Sequence, residues 1–350
     1  MNMNASNIFN RISNSVDRMI KKVSYRNLVF KGGGVRGIAY MGALEALEQE
    51  GVLKNIERVA GSSAGAIAAT LACFRLPVDE VVILFNSLDL SRVPQTSVTG
   101  KEKYKLPQLS STENIRRLVE NYGWYSSAYF HEWLGEVIAS QCGHNSRATF
   151  RDLQMRGYRD LYIAAANLSR KRTEFFSYHT SPDVAVADAV RISMSIPLFF
   201  EAIRFDGKEF GNGDYYVDGG LLDNYPIHLF DQPDFARLNP FYRNGINWET
   251  LGLFLKAMQN ECASDPLMPN NLYEFLNLTV RSFYDTHDLS NLDKSLVDQR
   301  RSVIINDCGV SSIQFDLEPG SELYQRLYFS GRQAVLNFLA GRTIKPDAGS

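Results

Sequence analysis

The sequence is poor in cysteine, with four in 350 residues at Cys73, Cys142, Cys262 and Cys308. No two of them form a CxxC pair, so neither a disulfide framework nor a thiolate zinc site is expected, and free thiols in a reducing compartment follow. The five histidines (His131, His144, His179, His228 and His287) are equally scattered. A metal centre needs clustered ligands, so none is expected. An excess of one charge is lacking too. The 37 basic and 39 acidic residues leave a net charge of −2, which gives no electrostatic case for a nucleic-acid partner. Long apolar runs are also missing: the longest, over 65–74, is half the ~20 residues a spanning helix needs. Residues 1–14 hold no continuous apolar core, so a Sec leader is not expected. The expected location is the cytoplasm or the periphery of a membrane surface; export of an effector by a non-Sec route leaves no such mark. Internal repeats and low-complexity stretches are absent as well.

What is present is globular. Apolar residues make up 45% and charged residues 22%, enough apolar material for a sizeable core. The length allows two domains or one large α/β domain with insertions, and no linker divides the chain. Near the N-terminus, Ile8, Phe9, Ile12, Val16, Met19, Ile20 and Val23 recur at helical spacing, with Arg11, Arg18, Lys21 and Lys22 largely off that stripe. This extension, residues 1–24, reads either as a helix docked on the main domain or as a membrane-surface helix. A short buried strand, Asn27-Leu28-Val29-Phe30, then runs into a glycine turn and a helix over about 38–50. A second strand over 56–60 meets another sharp turn and an Ala-rich helix to about 74. Strand, glycine turn, helix, strand, turn, helix is the opening of an α/β fold with parallel strands. Residues 88–112 are polar, without periodicity, and carry Pro94, Gly100 and Pro107; they read as a long loop or lid. Further helices are expected near 113–121, 129–141, 184–193, 270–288 and 321–340, and strands near 160–166, 173–177, 214–218 and 251–255.

Three turns carry chemistry. Gly32-Gly33-Gly34-Val35-Arg36-Gly37 satisfies G-x-G-x-x-G between a strand and a helix. A dinucleotide site would require an acid about 20 residues on, at the end of the second strand. That strand ends in Val59-Ala60-Gly61-Ser62-Ser63, so the reading fails there. What survives is a run of uncovered backbone N–H groups at a helix N-terminus, a nest for a phosphate or for the oxyanion of a tetrahedral intermediate. The second turn, Gly61-Ser62-Ser63-Ala64-Gly65, has the G-x-S-x-G form and the strand-to-helix context of a nucleophile elbow. Serine needs a base. His228 and His287 lie downstream and formally allow a triad, but neither sits in a recognisable loop. Asp218, in Asp218-Gly219-Gly220, ends a strand in a glycine turn and is the better candidate. A carboxylate is a poor base in water, with a pKa of ~3.9. In a dry pocket it can accept the proton as attack proceeds.

With these blocks in this order and spacing, the chain resembles the patatin-like phospholipase family. Ser193-Met194-Ser195-Ile196-Pro197-Leu198-Phe199-Phe200 resembles the family's Ser-x-Ser-x-Pro segment, and weaker echoes lie at Thr149-Phe150-Arg151-Asp152-Leu153 and Phe315-Asp316-Leu317. The match spans roughly residues 27–340. It implies an α/β, three-layer fold, with a central, mostly parallel sheet flanked by helices in a domain over 25–342. The 88–112 insertion and the 1–24 extension have no clear family counterpart.

The resemblance implies a lipid acyl hydrolase of phospholipase A or lysophospholipase type, acting on phospholipid or lysophospholipid with transient membrane-surface contact. Ser63 is then the nucleophile and Asp218 its partner in a dyad without histidine. The oxyanion hole comes from the backbone of Gly32, Gly33, Gly34 and Val35. Arg36 either approaches a lipid phosphate or braces the loop. Gly37, Gly61, Gly65, Pro197, Gly219 and Gly220 support the turns, and neither metal nor cofactor is needed. Rival readings are an acyltransferase or thioesterase on the same dyad, a lipid-binding protein without turnover, and an effector phospholipase that needs a host protein activator.

Overall fold

The computed structural model describes residues 23–95, 112–235, 239–257 and 295–341, with isolated positions between 268 and 292. The expected helix over 7–23 (apart from Val23), the greater part of the 88–112 segment, and most of the expected 270–288 helix lie outside the described residues.

An eight-stranded sheet organises the rest. Its strands are β1 (Asn27–Phe30), β2 (Arg58–Ser62), β3 (Asp160–Asn167), β4 (Arg172–Ser177), β5 (Ile203–Phe205), β6 (Asp214–Asp218), β7 (Thr250–Lys256) and β8 (Ser302–Asn306). The order is β8-β7-β1-β2-β3-β6-β5, with β4 paired to β3. The five strands from β8 to β3 are parallel, whereas β4, β5 and β6 pair antiparallel. The sequence dictates the first group. β1 is buried along its whole length and β7 over Thr250–Leu255, which is why both read as continuous apolar runs with no polar alternation. Leu28 and Phe30 point into the large core, and Val29 points into a second one with Ala60 and Tyr162.

Each glycine-turn helix leaves the C-terminal end of its strand. These are α1 (Ile38–Gln49) after β1 and α2 (Ala64–Cys73) after β2. They cover one face of the sheet together with α3 (Val78–Asn86), α4 (Ala128–Gln141), α5 (Val186–Ser193) and α6 (Glu322–Leu339). The opposite face is covered by the 3-10 turn Ile227–Asp231, whose Leu229 and Phe230 pack on Val29, Ala60 and Tyr162. From the 88–112 segment, Leu90–Arg92 forms a short 3-10 turn, and Leu88 and Val93 are buried.

The pairing of β3 positions the site. Residues 162–167 of β3 pair with β4 along one edge. A strand has only two edges, so the other edge must hold β2, paired over 160–164, and then β6, paired over 165–167. β2 runs parallel to β3 and β6 runs against it. Their C-terminal ends therefore meet head-on, Ser62 opposite Ala164 and Asp218 opposite Ala165.

Candidate active site

Ser63 is the first residue past β2, with φ 54° and ψ −126°, a conformation of the kind that costs about 1–3 kcal/mol and persists only when its surroundings enforce it. The two glycines around it make the turn possible. A Cβ on Gly61 would lie 2.1 Å from the carbonyl oxygen of Gly65, and one on Gly65 would lie 2.3 Å from that of Phe30. Both neighbours are backbone, so neither position tolerates a side chain. Ser63 is almost completely buried and stands at the N-terminus of α2. Its amide points away from the helix and donates to Ser193 Oγ at 2.9 Å.

Asp218 ends β6 and is fully buried. Its Oδ1 accepts from the Gly220 amide at 2.7 Å, which holds the carboxylate over the start of the next turn. The Asp218 and Gly219 amides donate to the carbonyls of Ser195 and Ser193, at 2.8 and 3.1 Å. A Cβ on Gly219 would sit 2.3 Å from the Ala164 carbonyl and 2.7 Å from Ser62 Oγ, so the aspartate turn lies directly against the end of β2. Ser193 and Ser195 belong to the Ser-x-Ser-x-Pro segment, which thus ties the aspartate turn from behind. Pro197 follows them and leads into Leu198, a non-glycine residue with φ 65°, and then into the buried Phe199 and Phe200.

The glycine loop lies beside both. Gly32 donates its amide to the Asn224 carbonyl at 2.9 Å, and Val35 donates its own to the Ser312 carbonyl at 3.0 Å. Two of the four amides expected at the oxyanion hole thus have acceptors inside the protein. Among the described residues no carbonyl takes the amides of Gly33 or Gly34. Gly34 has φ 58°, and a Cβ there would lie 1.9 Å from the Ser312 carbonyl oxygen. Gly34–Gly37 form one 3-10 turn that runs directly into α1. Arg36 is bonded within this loop. Its Nε donates to the Gly33 carbonyl at 2.9 Å and its Nη1 to Asp307 Oδ2 at 2.9 Å, both partners being largely shielded from solvent.

A pocket opens where these parts meet. Gly34, Val35, Gly37, Ser63 and Ala64 line one end, and side chains from Ile67, Phe85, Leu88, Leu90, Val93, Phe130, Met194, Ile196, Phe200 and Phe315 line the rest. None of its lining residues is charged, and Ser63 supplies its one side-chain hydroxyl. Asp218 is not part of the lining; it ends β6, and the turn that follows it lies against Ser62.

No histidine lines this pocket. His228 instead faces Asp231 Oδ2 and Asp298 Oδ2, each at 3.1 Å, in a cluster with the buried Arg301. The bonds to Asp231 and Asp298 raise its pKa from 6.5 to about 9 against the opposing effects of burial and Arg301. It is occupied as a cation in an ion cluster, and His287 lies outside the described residues. Among the described residues no three His, Cys, Asp or Glu side chains are grouped to hold a metal ion, and no helix is long and apolar enough to cross a membrane. Sequence reasoning missed Asn224, Asp307 and Ser312. Two of them act here through backbone carbonyls, and all three lie far along the chain from the loop they hold.

A family model described as patatin-like phospholipase matches residues 28–231. The chain is 27% identical over 315 residues to the uncharacterized protein R571 of Acanthamoeba polyphaga mimivirus, covering 88% of this chain and 92% of that protein. It is 25% identical over 286 residues to the probable lipid hydrolase 463L of invertebrate iridescent virus 6, covering 81% and 86%. Among solved structures, VipD from Legionella pneumophila shares the fold with a TM-score of 0.56 at 18% identity, over 91% of this chain and 67% of that one.

Proposed function

The chain belongs to the patatin-like phospholipase family and is a lipid acyl hydrolase; from that premise we propose that Ser63 and Asp218 are its catalytic dyad. The observation that carries the assignment is the head-on meeting of β2 and β6 along one edge of β3. It supports pairing the strained serine with the buried aspartate beside the glycine loop.

Ser63 Oγ attacks the ester carbonyl carbon and its proton passes to Asp218. Negative charge develops on the carbonyl oxygen, where the Gly33 and Gly34 amides donate to it. Such donors are each worth ~10²–10³ in rate. The alcohol leaves with the proton from Asp218. Water then gives its proton to Asp218 and attacks the acyl-enzyme, and the fatty acid departs as Ser63 recovers its hydrogen. The uncharged pocket takes the acyl chain, and its exclusion of water favours proton transfer to a carboxylate. With no cation in the lining, the head group stays outside, at the lipid surface the enzyme meets peripherally.

The test is fatty-acid release from mixed phospholipid vesicles, measured by mass spectrometry, for wild type, Ser63→Ala and Asp218→Asn. Release by wild type with loss of at least 10³-fold in both variants is expected. Full activity in folded Ser63→Ala removes the assignment. Silence of the pure wild type, restored by cell lysate, identifies a requirement for a protein activator.

A further inference from the structure

We propose that Ser193 is a positioning residue that holds Ser63 in its reactive conformation and couples it to the aspartate turn. This rests on the dyad reading above. Three bonds converge on this one fully buried residue. Its hydroxyl donates to the Ala164 carbonyl at 2.6 Å. The lone pairs left on that oxygen accept the Ser63 amide at 2.9 Å. Its own carbonyl accepts the Gly219 amide at 3.1 Å.

Ala164 is the residue of β3 opposite Ser62, and Gly219 follows Asp218. Ser193 therefore ties the nucleophile turn, the strand β3 on which β2 and β6 both pair, and the aspartate turn through one side chain and one peptide group. The residue type matters because a single atom must both donate and accept. A serine hydroxyl does both in a small volume, which an aliphatic side chain cannot do.

The bond from the Ser63 amide has a chemical consequence. With φ 54°, Ser63 sits in a conformation the chain leaves when unrestrained. Its amide has a fixed acceptor behind the turn, so the N–H points away from the reacting centre. Loss of that acceptor frees the turn to relax, which displaces Oγ from the carbonyl it attacks without altering the apolar pocket that binds the acyl chain. The signature is a fall in kcat with KM unchanged, since a misplacement of about 1 Å costs on the order of 10²-fold.

The experiment compares Ser193→Thr with Ser193→Val, which share a shape and differ in the hydroxyl. Ser193→Ala carries the same comparison without added bulk. Each is measured for kcat and KM on a soluble p-nitrophenyl ester, for the rate of labelling by a fluorophosphonate, and for thermal stability. The expected result is that Thr keeps kcat and labelling at least ten-fold above Val, that Ala resembles Val, and that KM stays within about two-fold throughout. Equal kcat in Thr and Val, or wild-type labelling in Ala, overturns the proposal, whatever the change in melting temperature. Failure of the underlying dyad is seen separately, as absence of fluorophosphonate labelling in wild type or its persistence in Ser63→Ala.

Discussion

Arg36 offers a sharp test of how the glycine loop works, because bracing and phosphate binding predict different losses. Arg36→Met keeps the side-chain stem and removes the guanidinium. It removes the guanidinium paired with the Asp307 carboxylate, which is 4% exposed, and the Nε donor to the Gly33 carbonyl. Breaking a buried pair from one side typically costs about 3–5 kcal/mol. Arg36 is itself 13% exposed and water reaches it, so the lower end of that range is expected. Asp307→Asn keeps an acceptor for the Gly309 amide that Asp307 now binds, and should cost less. In the double variant neither charge is stranded, and a double-mutant cycle should return a coupling of about 1–3 kcal/mol. For catalysis, a loosened loop mispositions the Gly33 amide but does not delete it, so the loss should fall short of the ~10²–10³ for an absent donor. A ten- to hundred-fold drop in kcat is expected for Arg36→Met. The assay is turnover of a neutral p-nitrophenyl ester beside hydrolysis of phospholipid vesicles, with urea unfolding for stability. Bracing requires both substrates to suffer in proportion. Unchanged turnover of the neutral ester with impaired phospholipid hydrolysis would refute it and return Arg36 to the lipid phosphate.

Other expectations follow from the same geometry. Gly61→Ala and Gly65→Ala put a Cβ against backbone at 2.1 and 2.3 Å, so each should destabilise by more than about 3 kcal/mol, well beyond an ordinary substitution. Wild-type melting in either would show that the elbow yields. His228 has a folded pKa of about 9 against 6.5 unfolded. Its contribution, made with Asp231, Asp298 and Arg301, is full below pH 6.5 and is lost as pH rises through 9. Urea midpoints at pH 6, 7.5 and 9.5 should fall with pH in wild type and fall less in His228→Gln; parallel profiles would remove His228 as the cause. Phe200→Trp and Val93→Phe shrink the pocket, and both should shift preference among p-nitrophenyl esters towards shorter acyl chains, an unchanged profile placing the chain elsewhere.

The parts of the site that were legible in sequence are those a local turn encodes. The Gly32–Gly37 run, the elbow at Ser63 and the strand-ending Asp218 each declare their backbone geometry within a few residues. The first two strands and their helices follow from continuous apolar runs stopped by glycine. The second strand runs two residues further than expected, through Gly61 to Ser62, because its pairing with β3 extends right up to the elbow. Less legible was anything fixed by distant pairing. β5 is three residues long, too short for a periodic signal. β8 joins the edge of the sheet on the strength of its parallel pairing with β7. The Ser312 carbonyl that takes the Val35 amide has no side-chain signature at all. Asp307 accepts the Gly309 amide within its own turn, and nothing local tells that it also pairs with Arg36.

The meeting of two strand ends along β3 also bears on how such a molecule can diversify. The spacing of the two strand ends that carry the proposed nucleophile and base is set by the step between two consecutive alanines, Ala164 and Ala165, on a strand that belongs to neither turn. That ruler is indifferent to the length of chain on either side. The hairpin tip after Asn167 and the loop between β5 and β6 can lengthen, shorten or be exchanged while the proposed pair keeps its spacing. Substrate preference and surface contacts are therefore free to drift over generations without the chemistry having to be tuned again.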